Sequence, residues 1–305
     1  MLNEGFFERA GFTGEVRYRE PMTMHTSLGI GGPAEAMAFP EDEAQVSRLQ
    51  AQAHACGAPV MVLGSGTNLL VLDGGIAGLV INVSKLDFIV KERLEDGGQA
   101  VRAGAGAPLP RLAGFCCEEG LSGLEFATGI PGSVGGAVFM NAGAYGFEIK
   151  NVLYKIHVVM EDGSVLEMSP EALGEGYRHG GVPENSAVSE AWFSLKPGDA
   201  GEIKARASEF MAKRRASQPL SARSAGSTFK NPPGKKAWRL IEETGLKGTR
   251  VGGAVVSEKH ANFLINAGGA TAKDFRALMD IVAGAVRERL GIMLEPEVRI
   301  VGEER

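Results

Sequence analysis

Apolar and polar positions change period several times along this chain, and each change marks an element. Residues 33–39 read as a short strand leading to Pro40-Glu41-Asp42, after which Val46, Leu49, Ala53 and Cys56 recur at helical spacing until Gly57. The pattern predicts a helix with acidic residues at its N-terminal turn, where they suit the dipole, and a glycine stop. Pro59 to Leu63 reads as a buried strand running into the turn Gly64-Ser65-Gly66-Thr67-Asn68, so the N-terminal part is α/β in character. From Leu79 to Lys196 strand signals dominate, at 79–83, 88–90, 100–103, 152–160, 165–168 and 192–195, with Asp162-Gly163 as a hairpin turn. Pro108 to Gly120 inserts a helix among them, with Leu109, Leu112 and Cys116 on one face.

A third segment begins near residue 200, where composition shifts and Ile203, Ala207, Phe210, Met211 and Arg214 trace a helix that ends before Pro219. Thr271-Ala272-Lys273-Asp274 forms a capping box with Asp in place of Glu. It opens a last helix with Phe275, Leu278, Met279, Val282 and Val286 on one face and Gly291 as its end. Leu294 to Ile300 alternates charged and apolar residues, the pattern of a half-solvated strand in which Glu297 and Arg299 would be a surface pair.

Composition narrows the class. The chain has 305 residues, 44% of them hydrophobic, which allows one large or two to three small domains with real cores. A net charge of −5 argues against a nucleic-acid footprint, which needs a basic face, while leaving room for a local cationic pocket. Cys56, Cys116 and Cys117 are odd in number and lack C-x-x-C spacing, so no disulfide framework is expected and a reducing cytoplasm fits. Glu4, Glu8, Arg9, Glu15 and Arg17 interrupt the first twenty residues, which therefore do not read as a signal peptide.

The most informative stretch runs from Pro131 to Gly146, inside an uncharged segment from Phe126 to Phe147 that holds six glycines. Glycine lets backbone N–H groups approach a ligand closely, and successive N–H groups make concave sites for phosphate oxygens. The glycines, Pro131, Ser133, Asn141 and Tyr145 argue against a membrane span; a tightly turned buried crossover without ligand stays open. Gly64-x-Gly66 and Gly104-x-Gly106 both lack the third glycine of a dinucleotide fingerprint, and Gly234-Lys235 lacks the start of a phosphate loop. The five histidines never fall in metal-ligand spacing, so no metal is expected. No G-x-S-x-G elbow occurs either.

Ser224 to Pro233 packs polar groups and Lys230 between glycine and prolines, which reads either as a rigid loop that presents side chains for chemistry or as a surface turn. A serine hydroxyl is a useful proton donor only toward a strongly basic centre such as a carbanion. Tyr177-Arg178 follows two glycines, and Lys213-Arg214-Arg215 is a charge run at a helix end, where the dipole favours it and anion binding is the second reading.

Taken in order, His25 to Ala34, Gly64 to Leu70, Ile130 to Gly146, Tyr177-Arg178, Gly226 to Pro232, Val256 to Phe263 and Glu295 to Val298 resemble the UDP-N-acetylenolpyruvoylglucosamine reductase (MurB) family over nearly the whole chain. The resemblance implies a mixed α+β architecture: a vanillyl-alcohol-oxidase (PCMH) type FAD-binding fold of two α/β subdomains plus a C-terminal α/β substrate-binding domain. On this chain the subdomains would be 1–78 with 292–305 and 79–200, and the substrate domain 201–291. It further implies a cytoplasmic, monomeric flavoenzyme of peptidoglycan synthesis, bound to neither nucleic acid nor membrane. That enzyme uses FAD and NADPH to reduce UDP-N-acetylglucosamine enolpyruvate to UDP-N-acetylmuramate.

Carried over residue by residue, Ser227 resembles the family's proton donor, with Arg178 and Glu297 as its catalytic partners. The backbone of Gly64, Ser65, Gly66, Thr67 and Asn68, of Thr128, Gly129, Pro131, Gly132, Ser133, Gly135 and Gly136, and of Asn141, Ala142 and Gly143 would hold FAD. Tyr177, Arg214, Lys230, Asn231 and Arg299 would meet the nucleotide sugar. Three positions depart from the family pattern: Gly180 replaces a serine, His25 an asparagine and Trp238 a small residue. No long insertion follows Tyr177-Arg178, which resembles the branch without a substrate-covering loop. Another FAD-dependent oxidase or dehydrogenase, and a nucleotide-sugar-binding protein without catalysis, are the alternatives.

Overall fold

The computed structural model describes residues 2–94, 97–173 and 181–304. The chain divides into two compact units: Met1–Tyr18, Glu35–Ser65 and Gly78–Lys213 form one, and Arg19–Ala34, Gly66–Ala77 and Arg214–Arg305 the other.

Among the described residues of the first unit, helices α1 (Glu4–Arg9), α2 (Glu43–Cys56), α3 (Leu109–Glu118), α4 (Val134–Phe139) and α5 (Ala200–Ser217), the last continuing past Lys213, accompany two larger sheets and a small hairpin. Helix α2 begins where the sequence predicts, because the Asp42 carboxylate accepts from Gln45 N at 2.7 Å, and it ends at Gly57 with φ +66. One sheet has the order Glu15–Pro21, Pro33–Phe39, Ile76–Asn82, Val60–Leu63, the last two strands parallel. The larger sheet has the order Val165–Met168, Leu153–Val159, Ala187–Pro197, Gln99–Gly104, Ile89–Arg93, with Leu121–Ser122 also pairing with Ala187–Pro197. Ile156, Val158, Val101, Ala103, Ala191 and Phe193 join one continuous core with α2 and α3.

The sequence pattern underestimates the edge strand, because Lys91, Glu92 and Arg93 look like loop residues yet pair through the backbone with Val101, Ala100 and Gln99. It also misses α4, since Gly135 and Gly136 are poor helix formers; Ser133 supplies the N-cap by accepting from Gly136 N. Gly104 and Gly106 serve packing: an added Cβ would lie 2.2 Å from Leu86 O and 2.0 Å from Val83 O respectively.

The second unit holds α6 (Ala237–Glu243) and α7 (Ala272–Leu290) over an antiparallel sheet of order Arg223–Ser224, Leu264–Asn266, Ala254–Val256, Arg250–Val251. The expected capping box is formed: Asp274 N donates to Thr271 Oγ1 at 3.1 Å and Thr271 N to Asp274 Oδ2 at 3.0 Å. Phe275, Leu278, Met279, Val282 and Val286 are buried in the core of this unit, each contributing roughly 1.5–3 kcal/mol relative to an exposed side chain. The alternating segment after Leu294 is a strand only over Arg299–Val301, which pairs in parallel with Leu69–Val71.

Candidate active site

In the second unit three sequence-distant pieces converge. The loop carrying Ser227 is held on one side by Asn262: Thr228 N donates to Asn262 O at 2.8 Å, Phe229 N to Asn262 Oδ1 at 3.0 Å, and Asn262 Nδ2 to Phe229 O at 2.8 Å. Leu264 N adds a bond to Thr228 Oγ1 at 3.3 Å. On its other side the loop pairs with the segment after Leu294, where Glu297 N donates to Thr228 O and Lys230 N to Glu295 O, both at 2.8 Å. The Phe229 ring is 1% exposed and anchors the loop in the core. Ser227 and Glu297 are therefore half-buried neighbours, each next to or within a backbone-bonded pair whose Cα atoms lie about 5 Å apart.

The third piece is Asn68, whose Nδ2 donates to Glu297 O at 3.1 Å and whose carbonyl accepts from Arg299 N at 3.0 Å. Thus the end of the glycine turn and the segment from Glu297 to Arg299 are tied together. Within that turn Gly66 sits at φ +60, and a Cβ there would lie 2.0 Å from His25 O; its carbonyl accepts from Ser27 N at 3.1 Å. Thr67 lies between them, one residue before Asn68. Lys230 Nζ lies 3.4 Å from Glu295 Oε2 on a half-exposed surface. The Asn231 amide oxygen accepts from Ala237 N at 3.0 Å and so caps α6. Arg299 is exposed at the start of its strand, and Arg214 is half-buried on α5.

The first unit holds the other glycine turns. An added Cβ on Gly64 would lie 2.1 Å from Ser133 Oγ, so the turn after strand Val60–Leu63 and the N-cap of α4 touch with no side chain between. Val134 N and Gly135 N donate at 2.9 Å to Ala107 O and Ala105 O, and Gly136 N bonds Ser133 Oγ. The start of α4 is thus satisfied internally, and Gly135 acts by close packing, its Cβ position being 2.8 Å from Ala105 Cβ. By contrast, the N–H groups of Ser65, Gly129 and Gly132 make no hydrogen bond to another described residue. Ser65 is exposed and Gly129 and Gly132 are half-buried, and N–H groups left open on turns of this kind can bind phosphate oxygens.

Thr128 is fixed by its own N–H and Oγ1 on Glu125 O, at 3.4 and 3.0 Å, and Pro131 precedes the positive-φ Gly132. Asn141, at φ +41 and 3% exposed, donates to Glu148 Oε2 and accepts from Lys150 N, so its side chain shapes the loop from within. Ala142 accepts from Ile149 N, and Gly143 begins a hairpin with Glu148 opposite it. Tyr177, Arg178 and Gly180 lie outside the described residues. Asn262 carries no chemistry that a sequence scan would single out, and only its place in the block Val256 to Phe263 hints at it. Two departures find local partners: His25 Nε2 lies 2.8 Å from Glu20 Oε1, and the Trp238 ring lies 6.0 Å from the ring of half-buried His260. Burial lowers the pKa of His260 below the usual histidine value.

Comparison with known proteins identifies the fold and the family. Residues 34–169 match the FAD binding domain family. A solved alkyldihydroxyacetonephosphate synthase superposes with a TM-score of 0.50 at 13% identity, covering 65% of this chain and 41% of its own, which speaks to fold alone. The fold and the family match define an FAD-binding protein of the vanillyl-alcohol-oxidase type.

Residues 218–301 match the family described as UDP-N-acetylenolpyruvoylglucosamine reductase, C-terminal domain. The UDP-N-acetylenolpyruvoylglucosamine reductase of Geobacter metallireducens is 47% identical over 296 residues, 97% of each chain. The crystal structure of the enzyme so named from Thermus caldophilus has a TM-score of 0.79 at 39% identity, covering 94% of this chain and 98% of its own. The chain belongs to the UDP-N-acetylenolpyruvoylglucosamine reductase family.

Proposed function

We propose that this chain reduces the enolpyruvyl ether of UDP-N-acetylglucosamine enolpyruvate to the lactyl ether of UDP-N-acetylmuramate, with NADPH as electron donor and FAD as resident cofactor. FAD, when bound, supplies the two-electron chemistry that no side chain carries. The N–H groups of Ser65, Gly129 and Gly132 would hold its diphosphate.

The substrate's own chemistry sets the task for the other residues. Hydride arriving at the terminal vinyl carbon leaves negative charge on the carbon next to the carboxylate. Arg178 pairs with that carboxylate so that the charge is held as an enolate, a preorganised electrostatic contribution of several kcal/mol. Ser227 delivers the proton to the carbon, and Glu297 orients the Arg178–carboxylate pair or shares its proton. Tyr177, Arg214, Lys230, Asn231 and Arg299 meet the nucleotide and its diphosphate. Residues 201–291 act as the substrate-binding domain, and the enzyme works as a cytoplasmic monomer.

The observation that supports this reading most directly is the backbone pairing of Thr228 with Glu297, which brings the residue after Ser227 opposite Glu297 in a loop locked by Asn262. The test is anaerobic: NADPH bleaches the flavin band and UDP-N-acetylglucosamine enolpyruvate restores it. In Ser227→Ala the bleaching rate is unchanged and the restoration slows by about 10²–10⁴-fold. Unchanged restoration removes Ser227 from the mechanism. Bleaching without restoration in the unsubstituted protein overturns the substrate and leaves a different flavin dehydrogenase.

A further inference from the structure

Helix α5 buries only Ile203 and Ala207, which pack on Cys117 of α3. Two other side chains fix it to the glycine-rich block. Arg206 donates from Nε and Nη2 to Glu125 Oε1 at 3.3 and 2.8 Å, and from Nη2 to Ser122 Oγ at 3.2 Å. Glu125 is 7% exposed and accepts two more bonds, from Ser122 Oγ and Gly123 N, both at 2.8 Å. Four residues along, the Phe210 ring stacks on Tyr145 with centroids 4.6 Å apart and planes 13° apart, and Tyr145 Oη donates to Phe210 O at 3.0 Å.

Tyr145 is out of place by local rules. It forms the two-residue tip of the hairpin Gly143–Ala144 and Phe147–Glu148, with φ +57, and Gly146 beside it has φ +87. A hairpin tip with two positive φ values calls for Asn-Gly or Gly-Gly, and a bulky residue there is strained. Strain of this kind persists only when the surroundings over-determine it, and here the surroundings are the ring and carbonyl of Phe210.

Residues 206, 210 and 214 follow at four-residue intervals, so they share one stripe of α5 that drifts only about 40° per step. Glu125 holds the first member and Tyr145 the second. The third is Arg214, which the functional reading above gives to the nucleotide diphosphate. We propose that Glu125 and Tyr145 are positioning residues that fix the rotation and axial register of α5, and thereby set the direction in which Arg214 leaves the helix. The block that carries the cofactor turns then also sets the stance of a substrate-binding arginine. The anchoring stands on the contacts themselves, whereas its consequence for binding rests on the assignment of Arg214.

The test separates the two. Tyr145→Gly suits the positive φ, so the hairpin survives while the clamp is lost; Tyr145→Phe keeps the stack and removes the donor. In the FAD-loaded enzyme, Tyr145→Gly leaves FAD content unchanged, speeds amide exchange over residues 210–217 by at least about tenfold, and raises the dissociation constant for UDP about five- to twentyfold. Tyr145→Phe falls between, and Arg206→Met behaves like Tyr145→Gly. In an Arg214→Ala background, Tyr145→Gly changes the UDP constant by less than about twofold. A purely structural effect multiplies through in full, and that result overturns the proposal. Unchanged exchange overturns the anchoring itself. If Arg214→Ala leaves UDP binding unaltered while exchange rises in Tyr145→Gly, the assignment of Arg214 fails, and the binding half of the proposal falls with it.

Discussion

Replacing Asn262 by alanine tests how the Ser227 loop is held. The Asn262 side chain is the partner of both Phe229 N and Phe229 O, at 3.0 and 2.8 Å, in a place where Asn262 is 3% and Phe229 1% exposed. Alanine leaves a donor and an acceptor buried without partners, at about 1–3 kcal/mol each. Water entering the space of the lost amide recovers part of this, so a net loss of about 2–4 kcal/mol is expected. Through the factor of ten per 1.36 kcal/mol, local opening then becomes about 30- to 900-fold more frequent. The assay is amide hydrogen exchange of Thr228, Phe229 and Lys230, run beside stopped-flow reoxidation of the reduced flavin by substrate. Exchange accelerates in that range, and reoxidation slows more than reduction because Ser227 belongs to the loosened loop. Asn262→Asp keeps the acceptor but turns oxygen toward Phe229 O, and costs at least as much at neutral pH. A Phe229 amide in Asn262→Ala exchanging within about threefold of the unsubstituted protein refutes the reasoning.

Other outcomes follow from the same contacts. Gly64→Ala displaces the Ser133 hydroxyl 2.1 Å from the new Cβ and uncaps α4, at about 0.5–2 kcal/mol, with lowered FAD content; in a Ser133→Ala background the extra cost shrinks, and an equal cost in both backgrounds contradicts the steric account. At acid pH two groups act in the same direction. Burial lowers the pKa of His260, so below about pH 6.5 the unfolded chain takes up a proton that the folded one refuses, and stability declines as pH falls. Burial alone raises the pKa of Glu125, but the Arg206, Gly123 and Ser122 donors outweigh it and hold it below the usual carboxylate value. Its contribution is full above about pH 4.3 and lost as pH falls through the folded value. Melting temperatures of His260→Gln between pH 8 and 5 show a flatter decline, and an unchanged slope rules out His260 as its source. Burial pushes Cys116 up to about 12 and raises Cys117, whereas Cys56 is exposed. Thiol titration at pH 8 therefore finds one fast-reacting cysteine in the native protein and three after denaturation; a second fast thiol in the native state contradicts the burial.

Local signals in this chain were strong where one residue type solves one local problem. Asp42 and Gly57 bound α2, and Thr271, Asp274 and Gly291 bound α7, because caps act on backbone groups within four residues. The apolar stripe from Phe275 to Val286 made the buried face of α7 legible for the same reason. The ordered set of motifs carried the family, which the family match bears out.

What the sequence could not reveal is which distant groups complete each turn. Read alone, Glu297 and Arg299 look like a solvated pair; the bonds from Glu297 N to Thr228 O and from Arg299 N to Asn68 O show that their segment joins the Ser227 loop to the glycine turn. The alternation at Leu294 to Ile300 says that one face is buried but not against what. Nor do Gly135 and Gly136 announce a helix, since Ser133 and the Ala105 and Ala107 carbonyls stabilise α4 against its propensity. The sequence by itself determined the elements, their caps and the chemical types at hand, because these depend on neighbours along the chain. Only the tertiary structure decided which side chains, such as Asn262 and Tyr145, hold the Ser227 loop and helix α5 in place, because each of those bonds closes a loop in space that no local pattern encodes.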